Sequence, residues 1–272
     1  MPVIRYRAAL ICCGLLALNG TVVGQTVKQG IETTKDQPVP AMQHRRGPKK
    51  LELLNADGAV ITFWKPDLSK RPLEPMMDVI TVPPTGVDNY HAIIIEQDWG
   101  DSLDAIIRYE YMRGKPSGES PTKLTSAIKT NLEVVPDPLP REHHRYYSGD
   151  KIVFLLRYQN QYLPGHPVIM TTGNGSTVKA VSDSNGRVMM TIPDDFSDVV
   201  SGERDKRSTA INITTSHVVS GKQYNTTLSS EYRVAPVHWQ SKSLGLAAAG
   251  IGFLFGGFIT RRAGRSRQER TQ

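Results

Sequence analysis

Short runs of apolar and β-branched residues alternate with turn signals along most of the chain. The clearest series lies between Tyr146 and Phe196, where the order strand, turn, strand recurs four times. Glycine, asparagine, aspartate and proline supply the turns, because they suit the backbone angles that reverse the chain. Strands this short, with turn signals every 8 to 12 residues or so, are typical of a β-sandwich. The pattern therefore predicts an all-β protein built from immunoglobulin-like β-sandwich units.

The first predicted β domain covers residues 51–135. Its clearest feature is a hairpin in which the turn Trp99–Ser102 joins two β-rich runs, Tyr90–Asp98 and Leu103–Met112. After a loop, a short helical turn that starts at Lys123 leads into a strand, Thr130–Val135. Further strands are predicted at 51–54, 59–64 and 76–82.

The second predicted domain, an immunoglobulin-like sandwich, covers residues 146–238. Lys151–Tyr158 contains a nearly continuous apolar run, which indicates a central strand buried on both faces. The other predicted strands are Val168–Thr172, Ser176–Val181, Arg187–Ile192, Thr209–Val219 and Tyr224–Val234. Residues 136–145 form the link between the domains. Three prolines stand in its first five residues, so we expect a stiff, extended segment outside any ladder or helix.

The N-terminus has the layout of a secretory signal peptide, residues 1–24. A charged start precedes the apolar core Ala8–Leu18, and Val22–Gly24 provides a cleavage site before Gln25. The alternative is a first transmembrane helix, which the short apolar run disfavours. Both cysteines lie in this leader, so the mature chain has no thiol for a disulfide, a nucleophile or a metal. Residues 25–50 are polar and predict a flexible arm.

The C-terminus has the layout of a membrane anchor. Residues 243–260 are uncharged and would span about 27 Å as a helix. Trp239 precedes this run at the place of an interfacial aromatic residue, and the basic tail 261–272 should stay in the cytosol. Gly252 and Gly256 have the spacing of a helix-pairing motif, which favours a homodimer through the span. The predicted location is the bacterial inner membrane, single-pass, with the body in the periplasm.

The charge of the chain follows this layout. Lys and Arg number 33 against 26 Asp and Glu, a net charge of +7. The leader carries +2 and the tail carries +4, which leaves +1 for everything between them. A nearly neutral body has no electrostatic footprint for phosphates, so we expect no nucleic acid as partner.

Four motifs stand out from Thr130 onward: Leu132–Pro136, Ser148–Asp150, Leu163–Val168 and Ser182–Arg187. Together they resemble a family of bacterial exported proteins catalogued as DUF4198. Some members of that family are labelled as periplasmic proteins associated with nickel or cobalt uptake. The resemblance implies the fold and the compartment and, through that label, metal handling. His44 is the residue that stands where family members often carry a histidine near the mature N-terminus.

The candidate metal ligands are Glu142, His144, His166 and His91. Imidazole binds nickel, copper or zinc well, and a junction between domains is a common place for a pocket. On an extended chain Glu142 and His144 share a face, whereas His143 and His144 point apart. The alternative is a solvated linker with structural histidines. Methionines would suit copper if they clustered, although in strands they usually fill the core.

Sequence motifs of catalysis do not occur: no nucleophile elbow, zincin motif or P-loop is found. Asp183-x-Asn185-Gly186 starts like a calcium loop, but Val188 stands where the loop requires glycine, so we interpret it as a turn. We therefore expect a non-enzymatic accessory protein that presents nickel, cobalt, copper or a small solute to an inner-membrane or envelope protein. The alternative is an envelope β-sandwich that binds a protein partner and no ligand.

Overall fold

The computed structural model describes residues 48–53, 58–76, 79–140 and 145–241. Most of them lie in β-strands, which confirms the all-β prediction. The predicted leader, nearly all of the arm, the span at 243–260 and the basic tail lie outside the described residues. Within the described ranges, no helix is long and apolar enough to cross a bilayer.

Sixteen strands and two short helices make up the described chain. The strands are β1 (Lys49–Glu52), β2 (Val60–Trp64), β3 (Lys70–Pro72), β4 (Val79–Val82), β5 (Val87–Asp98), β6 (Ser102–Met112), β7 (Lys115–Pro116), β8 (Leu132–Pro136), β9 (Tyr146–Tyr147), β10 (Lys151–Tyr158), β11 (Gln161–Tyr162), β12 (Pro167–Thr172), β13 (Thr177–Val181), β14 (Arg187–Thr191), β15 (Ser208–Val219) and β16 (Lys222–Arg233). The helices are α1 (Pro121–Ser126) and α2 (Pro236–Trp239).

The largest sheet has ten strands and combines both halves of the chain. Its order is β13-β12-β15-β16-β6-β5-β2-β3, with β7 beside β5 and β9 beside β16. The halves meet where β16 pairs with β6 in parallel, and Leu228 lies opposite Ile107 in that register. Strands from the two sides of the predicted link therefore share one sheet.

A second sheet of four strands faces the large one. Strand β10 is its centre, with β8 on one side and with β14 and β11 on the other. Pro136 is the last residue of β8 and lies opposite Phe154, so this proline joins a ladder, contrary to the expectation for the link. Because β8 pairs with β10 alone, it is an edge strand, where a missing N–H is tolerated.

Two apolar cores lie on opposite faces of the large sheet. The first fills the space between the two sheets and includes Ile94, Ile107, Phe154 and Leu228. The second lies under a two-stranded sheet formed by β1 and β4, where Ile80 and Val82 pack on Ile93 and its neighbours. Among the described residues, this second core covers the half of the large sheet around β5. The outward side chains of β12 are exposed, and those of β15 are half-buried or exposed.

Strand β5 separates these cores. Ala92 and Ile94 belong to the first core, and Ile93 and Ile95 belong to the second, as the alternation of side chains along a strand requires. The sequence pattern predicts that the strand buried on both faces is β10. There Ile152, Phe154 and Leu156 are buried, but Val153 and Leu155 on the other face are half-buried.

The strands define two ends of the molecule. The tip end holds the turns that join β5 to β6 and β15 to β16, which lie together because β6 and β16 are parallel. The link end holds the start of β5, the ends of β6 and β16, and residues 136–140. Tyr90 donates a hydrogen bond to the carbonyl oxygen of Pro140 (2.6 Å), which ties the link to β5 at this end.

Candidate functional site

His91 is completely buried on the face of β5 that belongs to the second core. Its ring stacks on Phe63 with the centroids 5.3 Å apart. Nδ1 lies 3.1 Å from the carbonyl oxygen of Asn89, which can only accept, so Nδ1 carries the proton. Nε2 lies 2.9 Å from the hydroxyl of Thr85 and accepts from it. Burial lowers the pKa of His91 to about 4, so the ring is neutral and both nitrogens have partners.

His166 belongs to a cluster of four rings at the tip end, between the two sheets. Its ring lies 5.1 Å from that of His217, and Nε2 donates to the carbonyl oxygen of Ser216 at 2.7 Å. Tyr158 lies 5.1 Å from both His217 and Tyr224. Burial, and secondly the neighbouring His166, lower the pKa of His217. Two imidazoles and two phenols therefore meet at one end of the body.

The structure does not bring His91 and His166 together. They lie on opposite faces of the large sheet, one at Phe63 and the other at His217. Glu142 and His144 lie outside the described residues, so the predicted metal set as a whole stays a prediction. Among residues 48–53, 58–76, 79–140 and 145–241, no three His, Cys, Asp or Glu side chains are grouped so that they could hold a metal ion.

A cleft of about 460 Å³ opens at the link end. Tyr90 and Tyr111 stand on its floor as cross-strand neighbours of β5 and β6, with their rings edge to face at 5.3 Å. The loop 116–122 forms one wall and the link 136–140 forms another. The prolines that line the cleft are Pro116, Pro121, Pro136, Pro138 and Pro140.

Hydrogen bonds fix the polar groups of this cleft. Tyr111 donates its hydroxyl to Asp88 at 2.9 Å. Asn89 donates to the hydroxyl of Ser117 at 2.7 Å and to the carbonyl oxygen of Glu119 at 2.8 Å, which anchors the loop wall on β5. The charged side chains in the described lining are Asp88, Glu119 and Asp137, all carboxylates. Glu119 pairs with Lys123 and Asp137 pairs with Arg187, each at 2.8 Å, whereas Asp88 is held by the neutral Tyr111 hydroxyl. The cleft is therefore preformed, with apolar walls and one carboxylate, Asp88, that a ligand can engage without displacing a cation.

A buried ionic network supports the floor behind helix α1. Arg157 donates to Glu133 at 2.6 Å, and its other nitrogens donate to the carbonyl oxygens of Thr125, Ser126 and Ala127. Lys129 donates to the carbonyl oxygens of Leu124 (2.9 Å) and Ala127 (2.6 Å). Burial lowers the pKa of Lys129 to about 8. Because the last carbonyls of a helix lack partners within it, these two cations cap α1.

A second polar network lies at the link end, around Asp195. Thr172 donates to this carboxylate at 2.7 Å and Asn174 donates to it at 3.1 Å, while Tyr232 makes a short hydrogen bond to it. Burial raises the pKa of Asp195, but these hydrogen bonds outweigh burial and leave that pKa below its ordinary value. The network ties β12 and β16 to the turn after β14.

Sequence reasoning placed a pocket at the domain junction but attached it to Glu142 and His144. It missed Asp88, Tyr90 and Tyr111, because their convergence depends on the register of β5 and β6. The available signal was the equal distance of Tyr90 and Tyr111 from the predicted hairpin turn. That distance makes them cross-strand partners.

Comparison with known proteins gives no family. No protein-family model matches the chain, and no curated protein matches it. A solved structure of a 1.5-MDa bacterial ice-binding adhesin is 14% identical, with 69% of this chain and 58% of that chain covered and a TM-score of 0.24. A Ca²⁺-stabilized, ice-binding adhesin of an Antarctic bacterium is 12% identical, with 72% and 44% covered and a TM-score of 0.24. The chain thus spans about half the length of these structures, and similarity at this level does not indicate a shared function.

Proposed function

We propose that this chain is a membrane-anchored, non-catalytic binding protein of the bacterial envelope that holds a small solute for a partner in the membrane. The cleft at the link end carries the proposal. Its volume of about 460 Å³ lies within the range of about 300 to 1,000 Å³ that is usual for ligand pockets. It also lies at the end of the body where the chain leaves β16 toward the predicted anchor.

The lining of the cleft favours a small organic cation. Tyr90, Tyr111 and the prolines offer apolar surface, and Asp88 would attract an ammonium or guanidinium group. The preference rests on Asp88, because Tyr111 orients this carboxylate from the neighbouring strand while Glu119 and Asp137 already have cationic partners. The immunoglobulin-like kind of sandwich and the periplasmic location belong to the same proposal, and the resemblance to DUF4198 proteins supports both.

A transition metal is the other ligand within this proposal. Glu142 and His144 follow Pro140 in the sequence, and Pro140 is a lining residue of the cleft. Nickel, cobalt, copper and zinc therefore belong in the first binding experiment together with organic probes.

The test uses the full chain in phospholipid nanodiscs. Spermidine, arginine, succinate and the four divalent metals are added separately, and binding is measured by calorimetry and by thermal unfolding. A ligand at a hundredfold excess over its Kd stabilises the folded state by about 2.7 kcal/mol. We expect spermidine or arginine to bind and succinate not to bind.

Two matched variants locate the site. Asp88→Asn should abolish binding of the organic cation, whereas Asp98→Asn should leave it unchanged. Asp98 lies on the same strand at the tip end and pairs with Lys222 instead. The proposal fails if no probe binds, or if both variants bind as the parent chain does.

The alternative function is a protein-interaction module without a ligand. Exposed apolar side chains at the tip end favour it: Trp99 is 53% exposed, Tyr162 57% and Val218 63%. A photo-crosslinking amino acid at Trp99 or Tyr162 would then capture one defined envelope protein. The same amino acid at Met189 serves as the control, because Met189 is 67% exposed on β14 and lies opposite Val153, away from the tip end. Equal labelling at all three positions would contradict this function.

A further inference from the structure

A compact surface at the link end, here called the anchor face, consists of Val200, Arg204, Lys206 and Val237. The first three stand on the loop between β14 and β15, and Val237 stands on helix α2. Val200 is 55% exposed and Val237 is 62% exposed, although both are aliphatic. The two segments that carry them come from either side of the last hairpin.

Hydrogen bonds hold the loop of the anchor face against α2. Gly202 N–H donates to the carbonyl oxygen of Trp239 at 2.8 Å. Glu203 N–H donates to the carbonyl oxygen of Val200 at 3.4 Å, which closes the turn that presents Val200. Arg207 donates to the carbonyl oxygen of Ser197 at 2.7 Å, so the two ends of the loop are joined. The exposed valine is therefore presented by a fixed turn.

Charged side chains flank the two valines. Arg204 and Lys206 are exposed on the loop, and so are Asp198 and Glu203. The other exposed or partly exposed acidic groups beside them are paired: Asp205 with Arg207 and Asp194 with His238, each at 2.8 Å. Exposed cations are favourable where anions face them, as at a phospholipid surface.

The path of the chain points to what covers this face. The described chain ends at Ser241, two residues before the uncharged run 243–260. Two extended residues span at most about 7 Å. If that run enters a bilayer, α2 and the loop bound to it lie at headgroup level. Exposed aliphatic residues with flanking cations are the composition of an interfacial membrane contact.

We propose that the anchor face rests on the phospholipid bilayer, with Val200 and Val237 inserted among the headgroups and Arg204 and Lys206 on lipid phosphates. This inference rests on the membrane anchor of the proposed function. It adds a second contact with the membrane. This contact fixes the orientation of the body relative to the bilayer, with the link end facing the lipid.

The experiment uses single cysteines in the full chain, in a Cys12→Ser/Cys13→Ser background that has no other thiol. Val200→Cys and Val237→Cys are labelled with nitrobenzoxadiazole and reconstituted in nanodiscs of phosphatidylcholine and phosphatidylglycerol. We expect blue-shifted emission at both positions and quenching by spin-labelled lipid.

Val218→Cys is the matched control. Val218 is a valine of similar exposure, 63%, near the tip end of β15. It stands about 30 Å further along that strand than Ser208, at about 3.3 Å per residue. We expect emission as in water and no quenching by lipid at this position.

The charge contribution is tested by Arg204→Gln/Lys206→Gln. The equilibrium constant for membrane contact at Val200 should fall by about thirtyfold in discs with phosphatidylglycerol, because each basic residue near an anionic surface contributes about a factor of five. In discs of phosphatidylcholine alone the change should be small.

Three results would overturn the inference, and each has a separate meaning. If the chain does not stay bound to the disc, both the membrane anchor and the membrane contact of the anchor face are contradicted. If the chain stays bound but positions 200 and 237 behave like position 218, the contact of the anchor face is contradicted and the anchor is not. A blue shift without lipid quenching indicates a protein contact at this surface instead of lipid.

Discussion

Ion-paired side chains in this protein differ in burial, and burial decides how much each pair contributes to the stability of the fold. Arg157 and Glu133 form an ion pair whose side chains are 5% and 1% exposed, with helix carbonyls as further acceptors. Arg187 and Asp137 form an ion pair of similar length whose side chains are 56% and 37% exposed. The buried pair cannot lose a member without leaving a charge in an apolar site, whereas water can replace either member of the exposed pair.

Arg157→Ala should destabilise the fold by about 3 kcal/mol, because the buried Glu133 carboxylate loses its nearer cation and keeps only the more distant Lys129 (3.6 Å), while carbonyls of α1 lose their donor. Arg187→Ala, the control, should cost less than about 1 kcal/mol. Urea unfolding followed by circular dichroism measures both. An equal loss of unfolding free energy in the two variants would contradict the greater importance of the buried ion pair.

His91 makes stability depend on pH. Its pKa in the folded chain is about 4 against an ordinary value of 6.5, so the unfolded chain binds a proton at a higher pH than the folded chain does. The stabilisation is complete above pH 6.5 and is lost as the pH falls toward 4, by up to about 3 kcal/mol.

The measurement is the free energy of unfolding at a series of pH values for the parent and His91→Phe. His91→Phe should flatten the slope between pH 6.5 and 4, since the titrating ring is gone. An unchanged slope in His91→Phe would show that another group is responsible.

Strand β5 is the element on which both cores depend. Ile93 and Ile94 are adjacent in sequence, yet their side chains lie in different cores and are 0% and 1% exposed. Neighbouring residues of a strand point to opposite faces, so their contacts do not overlap.

Ile93→Ala and Ile94→Ala should each cost about 2 to 5 kcal/mol, because each leaves a cavity in its own core. Their effects should add to within about 0.5 kcal/mol in the double variant, since they share no partners. Val218→Ala at the exposed tip end should change stability by less than about 0.5 kcal/mol. A strongly non-additive double variant would mean that the two cores are coupled through the sheet.

The sequence predicted most of these elements well. The hairpin at 90–112, the short helix near Lys123 and all five later strands lie within a few residues of their predicted bounds, because turn residues mark their ends. Strand β3 was not predicted, since the run Lys70–Pro72 has neither apolar alternation nor β-branched residues. The two-sided strand was assigned to β10 because IVFLL is more apolar than the stretch VDNYH that begins β5.

The whole molecule is organised by pairings that no local pattern indicates. Turn residues in the sequence predict hairpins, but the parallel strands β6 and β16 are not joined by a turn, so no local signal predicts their pairing. The same holds for β8 and β10, which meet across the link and the residues after it. The cleft depends on these pairings, so its residues could not be gathered from the sequence, whereas its position near the link could be anticipated.

We expect the described body to unfold in one cooperative transition, because the first core takes residues from both sides of the link. Trp64 and Trp99 report on the first half and Trp239 on the end of the second. Single-tryptophan variants should give the same urea midpoint as circular dichroism. A fragment of residues 48–140 should not fold alone, since β6 would expose the edge that β16 covers. Two separate midpoints, or a folded fragment, would contradict this expectation.

The parallel pairing of β6 with β16 also sets the order of events when the chain is made. Asn225 and Asp104 are hydrogen-bonded although they are 121 residues apart in the chain. Such a large sequence separation makes the final assembly slow, because the entropy cost of closing a long loop comes before the free energy gained from pairing. Strand β6 therefore waits with one bare edge until nearly all of the body has been made. Until β16 arrives, that edge is the surface on which a chaperone would have most effect.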